Sequence, residues 1–141
     1  MSRLVFGEDD RLVPWAGDRL GCVFDPGARA IGLEGDDGPR AVSVFERFTA
    51  GDCHIHIATT NSGVAMTLAF ICASFIFPFV QLGQRRLTGL VRASNARALR
   101  FDLKLGFQIE GRLRETHDGD DTLVLGMLRR ECRFIPDEHR F

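Results

Sequence analysis

Over the first sixty residues, short apolar stretches alternate with turn formers. Arg3 to Phe6 predicts a first strand, and Ala28 to Glu34, Arg40 to Phe48 and Cys53 to Thr59 predict three more. The connectors Asp25-Pro26-Gly27, Gly35-Asp36-Asp37-Gly38 and Ala50-Gly51-Asp52 carry residues that favour tight turns. The second of these reads as a hairpin loop. Asp10 to Leu20 predicts a short helix, with acidic residues at its positive end and Pro14 limiting its length. The pattern then changes. Ile57 to Gln84 is a run of 28 residues with no charge and no histidine, and it predicts a long helix from Ser62 to Gly83, kinked or broken near Pro78. A strand from Arg86 to Arg92 and a turn at Ala93-Ser94 follow. Asn95 then opens a helix that Gly106 closes as a left-handed cap. A strand past Phe107, a turn at Asp118 to Asp121 and a last strand from Thr122 to Arg133 complete the order, with a loose tail from Pro136.

This order predicts an α/β chain, 1–141, folded as one domain around a mixed, mostly antiparallel sheet with helices on both faces. With 45% hydrophobic residues the chain can bury a substantial core. The apolar run is also rich enough to cross a membrane. Asn61, Ser62, Gly63, Thr67, Ser74, Pro78 and Gln81 interrupt it, however, which favours a buried helix and no membrane partner.

The net charge of −1 argues against a surface built for nucleic acid. The charge is unevenly placed: Arg85 to Arg114 holds eight basic residues against two acidic ones. That segment suits an anionic ligand, or is simply a solvated face. Four cysteines, Cys22, Cys53, Cys72 and Cys132, show neither disulfide nor zinc spacing and fit reduced thiols in the cytoplasm. The N-terminus does not read as a signal peptide. Twelve phenylalanines are compatible with a homodimer, and tyrosine is absent.

The segment from Gln84 to Glu115 carries the most specific pattern. An apolar strand leads to Asn95, the pair Gly106-Phe107 follows eleven residues on, and Glu110-Gly111 stands on the next strand. This resembles the C-terminal half of the GNAT N-acetyltransferase superfamily, and within it the ribosomal-protein and small phage- or prophage-encoded members. The region before the second strand is shortened, with one helix where such proteins usually have two. The resemblance implies transfer of an acetyl group from acetyl-CoA to a primary amine, by direct attack in a ternary complex. It implies no metal. The short region implies an open acceptor site, suited to a bulky amine such as a protein N-terminus or a peptide.

The resemblance also places the cosubstrate. Backbone at Ile57, Ala58 and Thr59 would pair with the pantetheine arm, and the loop Ser62, Gly63, Val64, Ala65 would wrap the pyrophosphate at a helix N-terminus. That loop lacks the basic residue and both glycines of the family pattern, because Ser62, Ala65 and Thr67 occupy their places. Weak binding is therefore expected, with Arg100 or its neighbour Arg97 adding charge. Asn95 would contact the arm, or serve only as a helix cap. Relatives draw the proton for the leaving thiolate from a tyrosine seven residues beyond this asparagine or a serine three beyond it. Here Asp102 and Ala98 stand there. An exposed aspartate near its ordinary pKa of about 3.9 is ionised at neutral pH, so water is the expected donor.

A base must take a proton from the amine. His54 and His56 share one face of their strand, and Cys53 and Ile55 share the other. A histidine titrates in the useful range. His56 is nearest the expected opening in the sheet, and Glu46 on the preceding strand is the second candidate. Polar residues on a half-exposed strand are the plainer reading. Two histidines without a third ligand make a poor metal site. A GNAT-fold binding protein of phage descent that has lost catalysis is the alternative to a transferase.

Overall fold

The computed structural model describes residues 1–60 and 66–141. Seven strands form one sheet: β1 (Arg3–Phe6), β2 (Arg29–Gly35), β3 (Gly38–Glu46), β4 (Asp52–Thr59), β5 (Arg86–Arg92), β6 (Gln108–His117) and β7 (Asp120–Leu128). Their spatial order is β1-β2-β3-β4-β5-β7-β6. Every neighbouring pair is antiparallel except β4 and β5. The mixed sheet and the strand order agree with the sequence pattern.

Three helices flank the sheet: α1 (Asp9–Leu20), α2 (Leu68–Ile76) and α3 (Ala96–Leu105). Helix α1 covers one face of β2, β3 and β4, closing a small core of Val5, Leu12, Ala16, Phe24, Val42, Val44 and Ala58. The larger core lies on the other face, where α2 and α3 pack on Phe45, Cys53, Ile55, Leu87, Val91, Leu125 and Met127. Helices therefore stand on both faces, as expected.

Three expectations are corrected. Helix α2 begins at Leu68 rather than Ser62, because the Thr67 side chain accepts the Phe70 N–H at 3.1 Å and caps it there. The α-helix breaks just before Pro78, as expected, ending at Ile76. Pro78, lacking an N–H, sits in a π-helical turn, Phe77–Gln81, whose wider register is seen in the Leu82 N–H donating to the Phe77 carbonyl. The last strand stops at Leu128, where the Glu131 carboxylate accepts the Leu128 N–H and a 3₁₀ turn, Arg129–Glu131, takes over. Residues past Pro136, expected to be loose, form a second 3₁₀ turn, Asp137–His139, and Arg129 reaches the Phe141 ring and carbonyl.

Among the described residues, no helix is long and apolar enough to cross a membrane.

Candidate active site

Strands β4 and β5 pair over only three positions, Asp52–Arg86, Cys53–Leu87 and His54–Thr88. Beyond His54, β4 stays with β3 as far as Thr59, and β5 stays with β7 as far as Arg92. The sheet thus opens into a V between the C-terminal ends of its two parallel strands.

Alternation of the ladder shows which backbone groups face the gap. The Thr60 N–H donates to the Arg40 carbonyl at 2.9 Å, so even-numbered residues of β4 bond to β3. Ile55, Ile57 and Thr59 therefore turn their amides and carbonyls toward β5, where the His54–Thr88 pairing takes the Ile55 amide and the others face the gap. Ala58 does not: its backbone turns to Val42 and its methyl is buried in the α1-side core. The Thr59 carbonyl is already taken by Arg19 Nε at 2.8 Å. Of the three predicted backbone contacts, Ile57 presents both groups to the gap, Thr59 its amide, and Ala58 neither.

His56 lies on the α1 face of β4, with His54 beside it and Cys53 buried on the other. Three neighbours fix it. Phe24, from the segment after α1, packs on the ring at 5.0 Å. Glu46 Oε2 approaches Nε2 to 2.7 Å. The carboxylate is off the line of the N–H, so the contact is electrostatic rather than an aligned hydrogen bond. The Asp25 N–H donates to the other Glu46 oxygen at 2.9 Å and holds the carboxylate in place. Burial pushes the His56 pKa down, against the opposing pull of Glu46, so the imidazole is neutral at neutral pH. A neutral imidazole beside a fixed carboxylate can accept a proton, and the imidazolium formed would be stabilised by Glu46. The two predicted candidates thus meet as one dyad.

A second polar group begins where β4 and β5 still pair. Thr88 Oγ1 donates to the Asp52 carboxylate at 3.0 Å, and Arg86 bridges Asp52 to Glu110. Glu110 lies over Gly126, where a Cβ would collide with its carboxylate. Burial also lowers the pKa of His54, next to this group.

Helix α3 starts where β5 ends. Asn95 Oδ1 accepts the Ala98 N–H at 3.2 Å, so the residue is a helix cap at the rim of the gap. Arg97 and Arg100 are exposed. Arg100 falls on the side of α3 away from the core-packed residues Ala98, Leu99, Phe101 and Leu105, and so is not brought into the gap. The loop predicted to hold phosphate, Ser62, Gly63, Val64 and Ala65, lies outside the described residues. Among the described residues no group of three or more potential ligands could hold a metal ion.

Sequence reasoning missed three contributors. Phe24 and Asp25 come from a connector with no pattern that ties it to His56. The sequence reads Asp102 as exposed, yet it is half-buried, and burial raises its pKa to about 6. The signal was available, since Ala98, Asp102 and Leu105 are spaced to share one stripe of the helix.

No protein-family model matches the chain, and no curated protein does. Solved structures share the fold. A variant of the spermidine N-acetyltransferase SpeG from Vibrio cholerae aligns with a TM-score of 0.76 at 13% identity, over 97% of this chain and 98% of that one. A protein from Desulfovibrio desulfuricans, described as an acetyltransferase of the GNAT family, aligns with a TM-score of 0.71 at 18% identity, over 91% and 99%. The Campylobacter jejuni N-acetyltransferase PseH, solved with acetyl coenzyme A, aligns with a TM-score of 0.61 at 16% identity, over 74% and 70%. The architecture is that of the GNAT fold. None of the three is described as a ribosomal-protein acetyltransferase or a phage protein.

Proposed function

We propose that the protein is an N-acyltransferase that moves an acetyl group from acetyl-CoA to a primary amine. The observation that carries this reading is the gap between β4 and β5, with bare backbone on its β4 edge and a His–Glu dyad two residues beyond its apex. An extended pantetheine arm would complete the ladder along Ile57 and Thr59, as a strand pairs with an open edge. The adenine-nucleotide phosphates would lie beyond Thr59, toward the start of α2.

In the reaction, His56 takes a proton from the ammonium or from water next to it, and Glu46 stabilises the imidazolium that results. The free amine attacks the thioester carbonyl directly. Holding both reactants in the gap supplies much of the rate advantage. Two proteins of this fold bear names that support the acyl donor and the acceptor class: PseH was solved with acetyl coenzyme A, and SpeG is named for spermidine.

For this chain an alkyl polyamine is a better acceptor than the protein terminus suggested by the short N-terminal region. A groove of about 440 Å³ runs between α1 and the segment leading to β2, lined by Asp10, Asp18, Asp25, Val13, Pro14 and other residues. It shares Phe24 with the dyad. Carboxylates on apolar walls suit a cation carried on a methylene chain.

Calorimetry with acetyl-CoA, followed by thiol release with spermidine, diamines and a peptide panel, tests the reading. Saturable binding and amine-dependent thiol release are expected. A folded protein that binds no acetyl-CoA would instead favour a GNAT-fold protein without catalysis.

A further inference from the structure

The two parallel strands that part to form the gap also build a second concave site, at their other ends. A cavity of about 340 Å³ is walled there by Thr49, Gly51, Asp52, Arg85, Arg86 and Arg130, with the apolar Leu128 and Phe141 beside them. Asp52 and Arg86 are the first residues of β4 and β5, and they still pair, whereas the gap opens toward the C-terminal ends of these strands. Ile57, which faces the gap, is five residues along β4 from Asp52, about 17 Å away.

Three sets of hydrogen bonds bring the walls together. The Thr49 hydroxyl accepts the N–H groups of Gly51 and Asp52, at 3.4 and 3.1 Å, and closes the turn between β3 and β4. The Gly51 carbonyl accepts the N–H groups of both Arg85 and Arg86, at 2.9 and 3.1 Å, and ties that turn to the start of β5. The Arg129 N–H donates to the Arg85 carbonyl at 2.8 Å, which sets the 3₁₀ turn carrying Arg130 alongside. Residues far apart in sequence thus meet at one corner of the sheet.

The arginines of this corner differ in what answers their charge. Arg86 lies between Asp52 at 3.4 Å and Glu110 at 2.9 Å, so it is neutralised. Arg129, outside the cavity, is held by the ring and the carbonyl of Phe141. Among the described residues, the guanidinium groups of Arg85 and Arg130 make neither a hydrogen bond nor an ion pair. Asp52 is the one acidic residue in the wall, and Thr88 and Arg86 already engage its carboxylate. Arg85 is nonetheless seated. Its guanidinium lies over Gly51, where a Cβ would overlap it. The backbone of Gly51 is outside the left-handed region, so the glycine serves this close approach and not a special conformation. Like charges lining one cavity repel, and an anion between them reverses the sign of the interaction. The planar guanidinium fork matches phosphate oxygens in paired N–H···O bonds, and two such groups balance one phosphate dianion.

We propose that this cavity is a second ligand site, separate from the acyl-transfer gap, which binds a phosphoryl dianion, free or as the monoester of a small molecule. Arg85 and Arg130 hold the phosphate oxygens, and Leu128 and Phe141 offer an apolar wall to whatever body the phosphate carries. The site does not depend on the acyltransferase reading.

The test titrates the full chain with inorganic phosphate and with phenyl phosphate at constant ionic strength. The readout is the ¹H–¹⁵N shifts of the Gly51, Asp52 and Arg86 amides and of the arginine Nε–H groups. Saturable shifts are expected at these positions, with tighter binding at about pH 8, where phosphate is a dianion, than at about pH 5, where it is a monoanion. Either probe binding this way supports the site; the tighter of the two tells a monoester from free phosphate. Arg85→Gln and Arg130→Gln should each weaken binding by about tenfold or more, with thermal melting as the check on folding. Gly51→Ala keeps every charge but pushes the Arg85 guanidinium off its seat, and it should weaken binding too, which separates a built site from attraction to a basic surface. Shifts that do not saturate overturn the proposal, as does an equal response from the exposed Arg97 and Arg100 on α3. Wild-type affinity in folded Arg85→Gln and Gly51→Ala overturns it as well. Displacement of bound phosphate by coenzyme A also overturns it, because the cavity would then belong to the cosubstrate. Failure of acetyl-CoA to bind at all leaves this site standing and removes only the acyltransferase reading.

Discussion

Replacing Glu46 by glutamine should lower the pKa of His56, not raise it. Glu46 is one of two opposing influences on the ring: burial drives the pKa below its usual value, and the carboxylate 2.7 Å away pulls it up. Glutamine fills nearly the same volume, and its amide oxygen can still accept the Asp25 N–H, so burial remains while the charge goes. An opposite charge this close shifts a pKa by about 1–3 units, and one pKa unit corresponds to about 1.4 kcal/mol. The His56 pKa should therefore fall by about one unit or more. Long-range ¹H–¹⁵N spectra of the four imidazoles report it directly, without any substrate.

The same change has a signed effect on stability. A histidine whose folded pKa lies below its unfolded value binds fewer protons folded than unfolded. Stability is then fully present above about pH 6.5 and is lost as pH falls from there to the folded pKa. Lowering the folded pKa by a further unit extends that window downward by one pH unit. Glu46→Gln should thus lose about 1.4 kcal/mol more than wild type between pH 8 and a pH below both folded values, measured by urea unfolding. In turnover, the acid limb of kcat should move to lower pH and the plateau should drop, because the base is weaker. A His56 pKa that stays put or rises in the variant would refute the electrostatic coupling and leave Glu46 a purely structural acceptor for the Asp25 N–H.

Three further outcomes are expected. Ser43 and Ser74 are both buried and their hydroxyls lie 2.7 Å apart; Ser74→Ala should cost about 1–3 kcal/mol by stranding the Ser43 hydroxyl, and Ser43→Ala/Ser74→Ala should cost less than the two single changes together, as a urea double-mutant cycle would show. Phe24→Ala should destabilise by about 3 kcal/mol, the low end for a buried phenylalanine, and should raise the His56 pKa toward 6.5 as water reaches the ring; an unchanged titration would mean that Phe24 does not desolvate it. Thr67→Ala removes the side-chain cap of α2 and should cost about 1 kcal/mol, read as a lowered melting temperature, whereas glycine at this position should cost only a few tenths of that unit.

Strands and α1 were legible because alternation and turn chemistry agree there: the β2–β3 hairpin closes at Gly35 and Gly38, as its loop sequence required. The apolar run was not legible in detail. Between Asn61 and Gln84 the hydrophobic residues have no polar face to set a phase, so neither the Thr67 cap nor the π-helical turn at Pro78 stood out against the background. The site was legible along single strands and illegible across connectors. His54 and His56 sharing a face follows from the period of two, and Glu46 on the neighbouring strand was within reach. The covering of His56 by Phe24 depends on how an irregular segment crosses the sheet, and nothing local encodes that. Asp102 was misjudged through its own chemistry: a charged residue on an amphipathic helix was assumed to face water, although its spacing from Ala98 and Leu105 put it on the packed side.

The gap itself has an energetic consequence. Among the described residues, the Ile55 carbonyl, both groups of Ile57 and the Thr59 amide have no strand partner across the gap, and buried backbone groups left without partners are strongly disfavoured. Two features make the opening sustainable. Each diverging strand keeps its outer neighbour, β3 for β4 and β7 for β5, so neither loses its place in the sheet. Arg19 supplies one missing donor by bonding the Thr59 carbonyl. Among the described residues no strand pairs with the amide of Thr59 or with either group of Ile57, and a ligand that pairs like a strand could take them. A ligand that does so binds the folded chain alone and raises its stability in proportion to the logarithm of its concentration above Kd. Stabilisation by coenzyme A should therefore be accompanied by slower amide exchange at Ile57 and Thr59. Exchange slowed only on the outer surface of α3, where Arg97 and Arg100 lie, would place the ligand on the basic helix face and not in the gap.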